Sequence, residues 1–346
     1  MALLFMDGFD VGDADAKWTY MGTAGAPHQG SIATTRFGVG RSLTTNASSS
    51  GIYSLCRKDF PASSKIIMGI AKVSLSGITS TRAEILLKGD GGGTPHLSLR
   101  TNSDGSVSLY RGDLATLLAT SAIGLVSIGT WSYWEISATV ADSGGRCIVR
   151  LNSNPTPIID FTGDTKNGGT NATIDALSLG SGTAGNSYAF YWDDCYICND
   201  TGSVNNDFLG DVRVQTVLPT AAGASTQFTP SVGSNWDNVN DAPYVSTTYN
   251  SDSVSGHRDT YAMADLLSGT GTIFGVQDNI LALKSDAGAA SIKAAIKSGG
   301  TVYYDSAVTL GTALGSSVAV REVDPATSAA WTVTNVNALE FGAEVA

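Results

Sequence analysis

His96-Leu97-Ser98-Leu99-Arg100-Thr101-Asn102-Ser103-Asp104-Gly105-Ser106-Val107-Ser108-Leu109-Tyr110-Arg111 reads as a β-hairpin. Leu97 and Leu99 alternate with Ser98 and Arg100, and Val107 and Leu109 alternate on the return. That period of two places one face in a core and the other toward polar surroundings. Asp104-Gly105 supplies the turn, because glycine accepts the positive φ that a tight hairpin needs.

Working outward, the same grammar recurs. Trp134, Ile136, Ala138 and Val140 share one face, Asp142-Ser143-Gly144-Gly145 turns, and Cys147, Val149 and Leu151 return. Tyr188–Cys198 reads as an aromatic strand that closes a first domain. The polar run 199–207 then marks a junction. In the second half, Asp211–Leu218 reads as a strand stopped by Pro219, and 225–255 as long surface connections. Ile273–Lys284 is expected to pair with Ser291–Lys297 across Ser285-Asp286-Ala287-Gly288. Ala289–Lys297 carries good helix formers, but Ile292, Ala294 and Ile296 alternate, so strand is expected. Trp331 and Val336–Val345 read as a closing strand. The expected fold is all-β, with two β-sandwich (jelly-roll-like) domains in series. The expected boundaries are 1–200, a junction at 201–208, and 209–346.

Composition narrows the function classes. The chain has 346 residues, 42% hydrophobic and only 15% charged, with 40 glycines. Two cores fit that length, and disorder does not suit that hydrophobic content. A net charge of -11 argues against a nucleic-acid partner, which requires a basic surface. No stretch is long and apolar enough to insert into a membrane as a helix. The N-terminus lacks a basic region before its short apolar run, so export by a standard signal is not expected. Four cysteines, Cys56, Cys147, Cys195 and Cys198, then read as buried free thiols.

Catalytic patterns are sparse. Five glutamates occur, and no carboxylate pair is spaced as sandwich-fold glycosidases require. Glu135, in Trp131-Ser132-Tyr133-Trp134-Glu135, comes nearest, but it faces away from Trp134 and is expected at the solvent side or an edge. His28, His96 and His257 stand apart from any nucleophile in a known elbow. The Cys195-x-x-Cys198 pair would point to opposite faces of a strand and cannot chelate together. Asp193-Asp194 lies near Asn/Asp-rich loops, where Ca²⁺ is the alternative to an ordered turn network. No cofactor is expected. Aromatics that could stack on sugar rings from loops are Trp236, Tyr244, Tyr249, Trp18 and Tyr20.

Several short pieces in order carry a resemblance. They are Phe5-Met6-Asp7-Gly8-Phe9-Asp10, Arg36-Phe37-Gly38-Val39-Gly40-Arg41-Ser42-Leu43, Gly129–Glu135, Arg150-Leu151-Asn152 and Tyr191–Ile197. Together they resemble the concanavalin A-like lectin/glucanase (laminin-G-like) jelly roll over about the first 200 residues. Asn206–Val214, Asp324-Pro325-Ala326-Thr327, Trp331-Thr332 and Val336–Gly342 extend it. With them the chain resembles structural proteins of tailed-bacteriophage virions. The resemblance implies a non-catalytic, tail- or fibre-associated virion protein that assembles in the host cytoplasm as a homo-oligomer. Its partners would be other virion proteins and host cell-surface polysaccharide. A capsid decoration or head-fibre protein is the alternative, and a glycan-degrading enzyme a third reading.

Overall fold

The computed structural model describes residues 2–11, 17–21, 28–29, 35–46, 55–77, 82–180, 189–267 and 271–346. They form two compact units, one of Met1–Phe9 with Trp18–Val214 and one of Asp10–Lys17 with Gln215–Ala346. Both are built from antiparallel sheets, and the fold is all-β and sandwich-like.

The first unit stacks an eight-stranded sheet on a seven-stranded one. The decisive hairpin forms as Thr94–Thr101 and Val107–Arg111, with Thr101 opposite Val107. Leu97, Leu99, Val107 and Leu109 are all buried, as the alternation requires. Gly105 closes the turn at φ +76, where a Cβ would also lie 2.6 Å from the Val126 carbonyl oxygen. The second hairpin forms as Ser132–Thr139 and Gly145–Leu151. At the centre of the larger sheet, Lys65–Ser74 pairs with Ser132–Thr139 on one side and Ala189–Asn199 on the other. Tyr188, expected to open that last strand, lies outside the described residues.

The core of the first unit contains an ion pair. Lys72 meets Glu84, and its ammonium also donates to Thr101 Oγ1 at 2.7 Å. The Trp134 and Phe190 rings lie 4.6 and 4.9 Å from the same ammonium. Lys72 belongs to the larger sheet and Thr101 to the smaller, so this buried polar cluster ties the two layers together. Burial pushes the Lys72 pKa down, against the pull of Glu84.

The second unit holds a six-stranded sheet and two two-stranded ones. Ser291–Ser298 is a strand, as its alternation predicts, and turns through Gly299-Gly300 into Thr301–Tyr304. Three expectations fail here. Val276–Ala282 pairs with Gly315–Arg321 and not with the Ser291 strand, which instead neighbours Glu340–Val345. The closing run splits into a helix, Val333–Asn337, and the strand Glu340–Val345. Thr332 caps that helix by accepting from Asn335 N at 3.1 Å. Finally, 211–218 is not a strand, and the strand starts at Pro219. Proline is tolerated as a first strand residue because it need not donate there. Around Ile296, the side chains of Trp331, Val336 and Leu339 form a small core.

Candidate binding surface

The outer face of the eight-stranded sheet is the natural place to look for chemistry, because Glu135 lies on it. Register puts Arg150, Glu135, Gly69 and Tyr196 in one cross-strand row. Gly69 makes the row possible, since a Cβ there would fall 2.1 Å from the Tyr196 ring. Between Asp193 and Tyr196 the strand bulges, and Asp194 sits in the left-handed region at φ +52. A bulge inserts one residue and re-aims its neighbours.

Chain segment 208–214 crosses this face and is fastened to it from below. Leu209 N donates to Tyr196 Oη at 3.1 Å, Gly210 N to Glu135 Oε1 at 2.8 Å, and Asp211 N to Ser153 Oγ at 2.9 Å. Val214 N reaches Asp194 Oδ1 at 2.8 Å. Arg36 donates to the Val212 carbonyl at 3.2 Å, pairs with Asp194 at 3.2 Å and pairs with Asp211. Burial works against the Arg36 charge, yet Asp211 and Asp194 outweigh it and raise its pKa. Phe208 lies under the Arg150 guanidinium at 4.2 Å. This accounts for the missing strand: the backbone donors of Leu209, Gly210, Asp211 and Val214 are met by side chains, not by a neighbouring strand.

Glu135 is therefore not at a solvent side. It is 2% exposed and accepts from both Tyr196 Oη and Gly210 N. Asp193 and Asp194 are likewise buried and engaged. Asp193 accepts from Arg36 N and from Asp194 N, while Asp194 serves Arg36 and Val214. Among the described residues, no group of three or more His, Cys, Asp or Glu side chains could hold a metal ion. Cys195 and Cys198 are both buried, and burial raises the Cys195 thiol pKa well above its ordinary value.

The aromatic candidates separate. Trp18 is a core residue, 2% exposed, stacked on Phe9 and donating from Nε1 to Asp7 at 2.8 Å. Trp236 is half-buried beside a short 3-10 turn at Asp237–Val239. Tyr20, Tyr244 and Tyr249 are 42%, 41% and 54% exposed. Tyr244 and Tyr249 share one loop of the second unit, closed where Thr229–Pro230 pairs with Asn250–Ser251.

That loop rests on a buried polar base. Asp259 Oδ1 accepts from Gln227 N at 2.6 Å and Phe228 N at 2.9 Å. Its Oδ2 accepts from Asn235 Nδ2 at 2.6 Å and Tyr261 Oη at 3.0 Å. Asn238 Nδ2 donates to the Tyr249 carbonyl and to Asn250 Oδ1, both at 3.2 Å. Ser231 brackets Tyr249, its N donating to the Tyr249 carbonyl at 2.8 Å and its Oγ accepting from Tyr249 N at 3.0 Å. Tyr249 thus has a pinned backbone and a free ring.

No family model matches the chain, and no curated protein matches it. Among solved structures it is similar to cellulose induced protein Cip1, at 13% identity and TM-score 0.42, covering 56% of this chain and 96% of that one. It is similar to the carbohydrate binding module CBM66 from Bacillus subtilis, at 7% identity and TM-score 0.34, covering 53% and 97%. Trypanosoma rangeli sialidase matches at 13% identity and TM-score 0.31, covering 46% of this chain. The chain covers 25% of that sialidase's length. Likeness at this level assigns neither an activity nor a ligand.

Arg36, Ser153, Asn238 and Asp259 were not among the sequence candidates. Asp259 had a readable signal, because it occupies a strand position two before Tyr261, where a carboxylate can be buried only if it is fully hydrogen-bonded. Arg36 had none, since its partners lie 158 and 175 residues away.

Proposed function

We propose that the chain is a non-catalytic structural protein of a tailed-phage particle, tail- or fibre-associated, which touches host surface glycans through the Tyr244 and Tyr249 loop. The observation that carries the contact is Tyr249, more than half exposed on a backbone held by Ser231 and Asn238. With the backbone already held, only the two side-chain torsions of Tyr249 are ordered when its ring stacks on a sugar, so less of the contact energy is lost. The virion assignment rests on the resemblance of Asn206–Val214, Asp324–Thr327 with Trp331-Thr332, and Val336–Gly342 to such proteins. A non-catalytic reading is supported by Glu135, whose carboxylate is spent on Tyr196 and Gly210.

The test is glycan-array binding of the full chain, alongside immunogold labelling of particles. Tyr244→Ala/Tyr249→Ala is expected to weaken binding by about tenfold or more, the equivalent of about 1.4 kcal/mol, with an unchanged circular dichroism spectrum. Unchanged binding in that variant sinks the loop assignment. Gold over the head, not the tail, favours the capsid-decoration reading, in which the same loop meets neighbouring subunits. Release of reducing ends from host polysaccharide overturns the non-catalytic reading.

A further inference from the structure

The outer face of the seven-stranded sheet carries a second set of groups, separate from the loop above. Register aligns Tyr20, Arg57, Ser178 and Leu86 in one row across four neighbouring strands. The next row on the same face holds Asp59, Ala176 and Lys88. Ser178 and Lys88 are therefore diagonal neighbours, about 7–8 Å apart at the backbone.

Three features of these rows are unspent. Ser178 is 1% exposed, yet its Oγ has no hydrogen-bond partner. A buried hydroxyl left unpaired is costly and calls for an explanation. Lys88 is half-buried with no carboxylate within ion-pair distance among the described residues. Arg57 pairs with Asp59 and donates to it from Nη2 at 3.1 Å, while its Nε finds no hydrogen-bond acceptor and its Nη1 edge is uncommitted. The nearby Asp175 is spent on the backbone N–H groups of Gly91 and Gly92, at 2.8 and 3.0 Å. Burial and the neighbouring Arg57 charge lower the Lys88 pKa against the opposing pull of Asp113, Asp59 and Asp175, so the Lys88 ammonium stands near three carboxylates without an ion pair to any of them. Tyr20 offers an exposed ring, its centroid 5.9 Å from the Arg57 guanidinium.

We infer that this face binds a carboxylate-bearing oligosaccharide, with the acid on Lys88 and the Nη1 edge of Arg57, a hydroxyl on Ser178 Oγ, and a ring against Tyr20. An ammonium without a carboxylate recognises an anion as a point charge, and a guanidinium edge adds directional hydrogen bonds. Tyr20 and Lys88 are three strand spacings and one row apart, about 16 Å at the backbone. That span exceeds a single sugar ring, so the ligand is an oligomer.

The test is isothermal titration calorimetry of the full chain with trigalacturonate, against the neutral trisaccharide maltotriose. Trigalacturonate is expected to bind and maltotriose to bind at least about tenfold more weakly. Lys88→Gln is expected to weaken the acidic ligand by about tenfold, while Lys88→Arg restores it. Ser178→Ala weakens binding without lowering the melting temperature, which separates a ligand role from a structural one. Tyr244→Ala/Tyr249→Ala leaves trigalacturonate binding intact, so failure here and failure of the loop reading are distinct. Absence of trigalacturonate binding, equal affinity for both sugars, or full binding by natively folded Lys88→Gln overturns the inference.

Discussion

Asp278 sits on the strand Val276–Ala282 with its carboxylate against Arg321, which also pairs with Asp305. Burial outweighs the Arg321 charge and lifts the Asp278 pKa from 3.8 to about 6. A carboxyl with a raised folded-state pKa binds its proton more tightly in the folded protein than in the unfolded chain. Its stabilising contribution is complete below about pH 4 and is lost as pH rises through about 6. Stability curves of the wild type and Asp278→Asn should therefore diverge between pH 4 and 6. In that window the wild type should gain on the variant by up to about 1.4 kcal/mol per pH unit of acidification. Denaturant titrations at about pH 4.5, 5.5 and 7 check it; parallel curves would remove Asp278 from the pH response.

At the level of elements, the segment 208–214 decides how the outer sheet face behaves. Arg36→Ala removes the guanidinium that holds Asp194, Asp211 and the Val212 carbonyl. Charged hydrogen bonds of this kind are each worth roughly 1.5–3 kcal/mol, so a loss of about 2 kcal/mol is expected. Hydrogen exchange should rise at the amides of Leu209, Gly210, Asp211 and Val214, with Ile67–Ile70 still protected. Uniform loss of protection across the sheet would mean that Arg36 supports the sandwich and not the segment alone. Legibility divides along the same line. The hairpins 94–111 and 132–151 could be read because turn chemistry and alternation are local and agree. Val212 and Val214 imitate alternation, but their partners are side chains far away in sequence, so no local pattern reveals that they form no strand. The Ser285–Gly288 turn likewise suggested a hairpin, whereas packing against the Trp331 core sends Val276–Ala282 to Gly315–Arg321. Of the aromatic candidates, Tyr20, Tyr244 and Tyr249 were readable as exposed, while Trp18 was lost to a core contact with Phe9 that only the fold creates.

For the molecule as a whole, the all-β, sandwich-like construction was legible from composition and period, and the chain passes between the two compact units at Phe9–Asp10, at Lys17–Trp18 and finally at Val214–Gln215. The last of these passages gives the segment 208–214 a mechanical meaning. Tension entering the first unit at Gln215 acts on the fastenings in sequence order: Val214 from Asp194, Val212 from Arg36, Asp211 from Ser153, Gly210 from Glu135, then Leu209 from Tyr196. They open one after another, like a zip and not a shear joint. The six residues 209–214 would release at most about 20 Å of slack before load reaches the Ala189–Asn199 strand. Single-molecule pulling should show a low-force extension of that size preceding the rupture of the sandwich, absent in Arg36→Ala. A first rupture at full sandwich force would show that the fastenings share the load. With such a fuse, a sudden tug is absorbed outside the β-sheets, and the segment can re-zip once the load is gone.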